Sequence, residues 1–164
     1  MEDSLQPNDF NIKSLLGDYL ISFKNLSDLD RLDLDYCIID KKVFDLYQDT
    51  DFIKKIKRPI FIEAIETNKT MDSAAKIIEE LLNNGITRGK SITAIGGGIT
   101  QDLATFVCSI LFRGVEWTFV PTTLLAQCDS CIGGKSSINF KSWKNQIGNF
   151  LSLIHISEPT RLGM

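Results

Sequence analysis

The feature that most restricts this fold is a strand running straight into three glycines and out again into an apolar helix. Ser91 to Ile95 reads as a strand, Gly96-Gly97-Gly98 follows at once, and Ile99 to Leu111 carries Leu103, Phe106, Val107 and Ile110 on one helical face. Glycines at such a turn let bare backbone approach a ligand. The helix N-terminus behind them offers N–H donors and the positive end of a dipole to an anion. The arrangement reads as a dinucleotide-phosphate turn. It departs from the G-x-G-x-x-G pattern because Gln101 holds the sixth position, and the triplet alone is equally well a plain tight turn.

Elsewhere the pattern alternates. Phe10 to Lys13 and Asp18 to Phe23 read as short strands joined through Leu16-Gly17, a hairpin. Tyr36 to Ile39 is an apolar run ending at Asp40, as expected of a buried parallel strand. Lys42 to Tyr47 reads as a short helix and Pro59 to Ala64 as a strand. Thr70 to Asn84 carries Met71, Ala74, Ile77, Ile78, Leu81 and Leu82 at helical spacing, closed by Asn84-Gly85. Trp117 to Val120 is a strand stopping at Pro121, and Thr123 to Ile132 can form a helix capped by Thr122 or Thr123. Alternation from Tyr36 onward gives an α/β class: a Rossmann-like parallel sheet flanked by helices, with an N-terminal β-hairpin. The length of 164 residues suits one domain with a real core, and no repeat or linker interrupts it.

A net charge of −3 gives no reason to expect nucleic acid or an anionic membrane as partner. No apolar run approaches a membrane span, and the acidic, polar start MEDSLQPNDF is not a signal peptide, so a cytoplasmic location is expected. Cys37, Cys108, Cys128 and Cys131 need not pair in that setting. Cys128-x-x-Cys131 has redox or half-zinc spacing, but no second pair accompanies it, and a structural role is favoured.

The tail from Leu151 to Arg161, LSLIHISEPTR, is the uninterrupted one-frame translation of a transposase adapter used in preparing sequencing libraries. Residues 151–164 are therefore read as a non-native tail and set outside the fold, with residues 1–150 as the truncated domain. The only histidine, His155, falls in that tail, so no histidine-based triad or zinc ligand is expected from residues 1–150.

Chemistry-bearing residues concentrate beyond the glycines. Asp102 lies in the helix's first turn, favouring its dipole or contacting a ligand hydroxyl. Glu66-x-x-Lys69 follows a strand, where open α/β sheets bind ligands, although solvated charges at a helix start are the commoner explanation. Arg113-Gly114 closes a helix, and Thr122 and Thr123 offer hydroxyls at a strand's end. Asp129 sits in an apolar segment, where burial would demand a partner. Gly133-Gly134-Lys135 puts a lysine on pliable backbone, and Lys144-Asn145 adds a cation and an amide. Cations hold phosphate while amide and carboxylate orient hydroxyls, so this density suits a phosphorylated polyol.

At these residues the chain resembles the dehydroquinate synthase family, the sugar-phosphate cyclases. The resemblance rests on Gly96-Gly97-Gly98-Ile99-Thr100-Gln101-Asp102, Arg113-Gly114, PTTLLAQCDSCIGGKSSIN from Pro121, and Lys144-Asn145-x-x-Gly148-x-Phe150, in order and spacing. Polyol dehydrogenases of similar fold also carry a glycine triplet and Pro-Thr-Thr, but typically continue Ala-Gly-Thr-Gly-Ser rather than Leu-Leu-Ala-Gln.

The resemblance implies NAD, used to oxidise a substrate alcohol transiently, then phosphate elimination, re-reduction and intramolecular aldol closure. It implies a helical C-terminal domain whose Glu and two His hold a divalent metal, zinc or cobalt, with those ligands absent from this chain. Asp40, Glu66, Lys69, Gly97, Gly98, Asp102, Thr122, Thr123 and Lys144 would contact NAD. Arg113, Asp129, Lys135 and Asn145 would hold a phosphorylated sugar acid, Arg113 across a homodimer interface.

Lys42 stands where the family often has Asn, Ser136-Ser137 where dehydroquinate-forming members often have Thr-Gly, and Trp143 where Gly is common. These departures leave open a specialised cyclase of secondary metabolism. A polyol dehydrogenase would instead give net NADH, and the fragment alone is expected to be inactive.

Overall fold

The computed structural model describes residues 9–13, 18–24, 29, 32–130, 132, 135–149 and 155–159. Nine strands and four α-helices alternate along them: β1 Phe10–Ile12, β2 Tyr19–Lys24, β3 Tyr36–Asp40, α1 Lys41–Tyr47, α2 Asp51–Lys54, β4 Arg58–Ile62, α3 Met71–Asn83, β5 Ile92–Gly96, α4 Gly98–Ile110, β6 Trp117–Pro121, β7 Ile138–Phe140, β8 Trp143–Ile147 and β9 His155–Pro159. The main sheet runs β1-β2-β9-β6-β5-β3-β4, and β7 pairs with β8 in a separate hairpin.

Strands β6, β5, β3 and β4 are mutually parallel, and β1 runs antiparallel to β2. The hairpin and the parallel sheet are thus where the alternation put them; its turn, Leu16-Gly17, lies outside the described residues. From β3 the chain passes through α1 and α2 to β4 on one side, then through α3 to β5 on the other. Between β3 and β5 the connections leave in opposite directions, which opens a crevice at the carboxyl ends.

Side chains alternate across the sheet, and so does the core. Tyr36, Ile38, Ile92, Ala94, Trp117 and Phe119 pack with Ala74, Ile77 and Leu81 of α3 and Leu103, Ala104 and Val107 of α4. Cys37, Ile39, Ile95 and Val120 face the other way, onto Phe52 and Ile53 of α2. Thr70 caps α3 by accepting from the Ser73 N–H, and Gly85 beyond it has φ of 78°.

Four local expectations change. Ile110, placed by spacing on the buried face of α4, is 44% exposed: it is the helix's last residue, and the adjoining Leu111, buried, takes the core position. The segment after Thr123 is a π-helical turn, Ala126–Ser130, rather than an α-helix to Ile132, although Thr123 Oγ1 does cap it by accepting from the Ala126 N–H at 3.2 Å. The β7–β8 hairpin and the one-turn α2 carry too few residues for any periodicity to announce them. Finally, His155–Pro159, set outside the fold on its adapter-like sequence, forms β9 and pairs in parallel with both β2 and β6. Backbone pairing needs no particular side chains, so a short extended segment of any origin can fill that lane.

Candidate functional site

Asp40 and Gly96 end neighbouring strands. Ile39 pairs with Ile95, and each of these two residues follows its pair at the mouth of the crevice. Asp40 caps α1, accepting from the Lys42 N–H at 3.0 Å, and borders a cavity of about 240 Å³ with Lys41, Lys42, Asp45, Glu63 and Ile65. Past Gly96 the backbone turns into α4 with Gly97 as its N-cap and Gly98 as its first residue. Gly96 has to be glycine: a Cβ there would lie 2.3 Å from Thr100 Oγ1.

Gln101, standing where the third glycine of a dinucleotide turn would be, is buried and donates from Nε2 to the Ser130 carbonyl. That contact straps the π-helical turn over the start of α4. It brings Ser130 Oγ to 3.6 Å from the position a Cβ on Gly98 would occupy. This hydroxyl is buried and has no partner among the described residues. An orphaned hydroxyl beside unshielded helix N–H groups is the donor set that a pyrophosphate takes up. Sequence reasoning assigned Ser130 no role, although it lies within the PTTLLAQCDSCIGGKSSIN stretch that carries the family resemblance. Thr122 joins the turn through its N–H, 2.8 Å from the Gly96 carbonyl, and Thr123 lies against Gly97.

A second group sits beside this turn. Lys69, buried, follows the 3-10 turn Glu66–Asn68 and sends its ammonium to Asp102 Oδ2 at 3.0 Å, Asn145 Oδ1 at 2.6 Å and Ser137 Oγ at 3.4 Å. An ammonium has three donors, and all three are taken by this chain. Asp102 further accepts from the Ser137 N–H at 2.8 Å. Asp102, the fifth residue of α4, lies just past the first turn where the sequence placed it, and is held by Lys69 and Ser137 rather than standing free to meet the helix dipole. Glu66 accepts from Asn139 Nδ2 at 2.9 Å, and this bond, aided by Lys69 and Lys144, holds its carboxyl below the usual range despite some opposing desolvation.

The structure thus brings together Glu66, Lys69, Gly97, Gly98, Asp102, Thr122, Thr123 and Asn145, with Asp40 at the neighbouring strand end. Lys144 is exposed on β8, near enough to Glu66 to act on its charge. Lys135 is exposed. Asp129 is exposed too, so the burial that would have demanded a partner does not arise: the π-helical turn points it outward. Arg113 stands apart. It follows α4 at the end opposite Gly97, roughly 20 Å away at ~1.5 Å per residue. Its backbone is left-handed, with φ of 68° next to Phe112 at 52°.

Among the described residues, no three or more His, Cys, Asp or Glu come close enough to hold a metal ion. Cys128 is exposed, and its possible mate Cys131 lies outside the described residues. No helix among them is long and apolar enough to cross a membrane.

The model of the N-terminal part of 3-dehydroquinate synthase matches residues 59–160. This chain belongs to the 3-dehydroquinate synthase family. Among curated relatives, 3-dehydroquinate synthase of Picrophilus torridus is 50% identical over 113 residues, covering 69% of this chain and 32% of its own length. That of Alkaliphilus oremlandii is 44% identical over 136 residues, covering 76% and 37%. The chain spans about one third of the length of the curated relatives it matches.

Among solved structures, 2-deoxy-scyllo-inosose synthase complexed with carbaglucose-6-phosphate, NAD+ and Co2+ superposes with a TM-score of 0.81 at 24% identity, over 93% of this chain and 46% of that one. The 2-epi-5-epi-valiolone synthase of Streptomyces hygroscopicus with NAD+ and Zn2+ bound gives 0.77 at 22%, over 92% and 45%. A probable glycerol dehydrogenase of Sinorhizobium meliloti gives 0.62 at 15%, over 84% and 38%. The family's fold therefore accounts for both the parallel sheet and the hairpin.

Proposed function

We propose that this chain is the NAD-binding part of 3-dehydroquinate synthase, a phosphate-eliminating cyclase of the shikimate pathway. The observation that carries the reading is the crevice between β3 and β5, with Asp40 on one lip and the Gly97–Gly98 turn under Ser130 on the other. Asp40 suits ribose hydroxyls, and the α4 N-terminus with Ser130 suits the pyrophosphate. Thr122, Thr123, Glu66, Lys69, Asp102 and Lys144 complete the cofactor side; contact by Lys69 would require it to release one of its three acceptors. When bound, NAD supplies reversible oxidation of a substrate alcohol.

Asn145, Lys135 and Asp129 form the substrate side, suited to the phosphate, carboxylate and hydroxyls of a sugar acid. Arg113 is too far along α4 to join them within one chain, so its role calls for a second copy, a homodimer. The divalent metal present in the related structures finds no donor set among the described residues. The same proposal holds residues 1–150 to be the Rossmann-like domain and 151–164 a non-native tail, which sequencing an unfragmented copy of the gene past codon 150 would test.

Calorimetric titration of the chain with NAD+ tests the cofactor reading. Saturable binding is expected, weakened about tenfold by Asp40→Ala through loss of charge-assisted hydrogen bonds. Absence of any binding would sink the reading. With NAD+ and zinc present, the 164-residue chain should release no phosphate from a seven-carbon phosphorylated keto acid.

A further inference from the structure

Asn139 touches both sides of the site. Its Nδ2 donates to Glu66 Oε1 at 2.9 Å and to the Glu66 carbonyl at 3.2 Å. Its Oδ1 accepts from the Asn145 N–H at 2.9 Å. Its own N–H donates to the Lys69 carbonyl at 2.8 Å, so the residue is stapled to the loop carrying Glu66 and Lys69. A side-chain amide has a donor end and an acceptor end, and here the two ends address different elements.

The receiving residue is unusual. Asn145 has φ of 55°, a left-handed conformation uncommon for a residue with a Cβ, and needs something to hold it there. Its Oδ1 is occupied by Lys69 Nζ at 2.6 Å and Ser137 Oγ at 3.0 Å. The carbonyl end being taken, the exposed Asn145 offers ligands the two N–H donors of its amide. An oxygen acceptor, whether phosphate, carboxylate or hydroxyl, is what such a group recognises.

We propose that Asn139 is the positioning residue joining the two halves of this site: it tethers Glu66 to the Asn145 backbone, so that Asn145 presents its amide donors only while Glu66 is held. This rests on the reading that Glu66 faces the cofactor and Asn145 the substrate. It makes the substrate side sensitive to what occupies the cofactor side, through one amide rather than through a moving domain.

Solvent-exchange NMR on the full chain tests it, using the exchange rate of the Asn145 N–H divided by that of the Ile95 N–H in β5. The ratio cancels any general loosening. Asn139→Asp keeps the shape and the acceptor for the Asn145 N–H, and removes both donors to Glu66. A carboxylate is the stronger acceptor. Loss of the tether, reinforced by repulsion between the two carboxylates, then raises the ratio, and a rise of about tenfold, the size of one hydrogen bond, is expected. Adding Glu66→Gln restores a donor facing Asp at position 139 and should bring the ratio back. An unchanged or lower ratio in Asn139→Asp, or no recovery in the double variant, overturns the proposal. Saturating NAD+ should shift the wild-type ratio but not that of Asn139→Asp. If the variants behave as expected and NAD+ does nothing, the tether stands and the cofactor reading fails.

Discussion

Burial sorts the cysteines. Desolvation, with Asp33 and Asp35 nearby, pushes the Cys37 thiol up to about 12, and burial alone pushes Cys108 up. Thiols, unlike thiolates, alkylate slowly. Iodoacetamide should therefore modify exposed Cys128 in the native chain while sparing Cys37 and Cys108 until urea unfolds it, as peptide mass spectrometry would show. The sign of the linkage also follows. Both folded values lie above the unfolded ones, so the contribution is complete below about pH 9 and is lost as pH rises towards 12. Cys37→Ala and Cys108→Ala should each flatten that alkaline loss of stability in denaturant titrations. Glu66 works in the opposite sense. Its carboxyl is held low chiefly by Asn139, so its contribution is present above the ordinary carboxylate range and disappears as pH falls through the folded value. Asn139→Ala should remove that acid-side loss.

Among the elements, legibility tracked length and chemistry. Strands such as Tyr36–Asp40 and Ile92–Gly96 are near-continuous apolar runs, and α3 has an unbroken 3.6-residue pattern, so both showed in the sequence. The glycine turn was legible because backbone approach needs glycine, and Glu66, Lys69, Asp102 and Asn145 through the family resemblance. Asn139, Ser137 and Ser130 stand inside the stretch that carries the resemblance, yet none was assigned a role, because a small polar residue acquires one only from what the fold sets opposite it. The β7–β8 hairpin was illegible for a related reason: tertiary contacts hold it. Gly148 illustrates one, since a Cβ there would lie 1.8 Å from the Ser136 carbonyl. Gly148→Ala should force the hairpin open and cost about 1–3 kcal/mol in urea unfolding, a typical overpacking penalty. Asp102→Asn should cost more, about 3 kcal/mol, by leaving the buried Lys69 ammonium without a counter-charge.

For the molecule as a whole, β9 is the hydrogen-bonded link between the hairpin strand β2 and the parallel strand β6. Ile156 pairs with Ile21 on one side and Phe119 on the other. Ile156→Pro removes its donor and cannot sit in an interior strand. Hydrogen exchange should then rise across Tyr19–Lys24 while β3 and β5 stay protected. Equal protection throughout would show that the hairpin is held by its side chains alone.

The order of synthesis gives that strand a further consequence. Of the described strands β9 emerges last from the ribosome, yet its place is in the sheet's interior. Until it arrives, the nascent chain carries two raw, unmatched strand borders facing one another. Wherever this 164-residue chain, tail included, is expressed, completion of the sheet must wait for translation to pass residue 159, and during that interval the growing polypeptide is most open to chaperones and to mispairing with its neighbours.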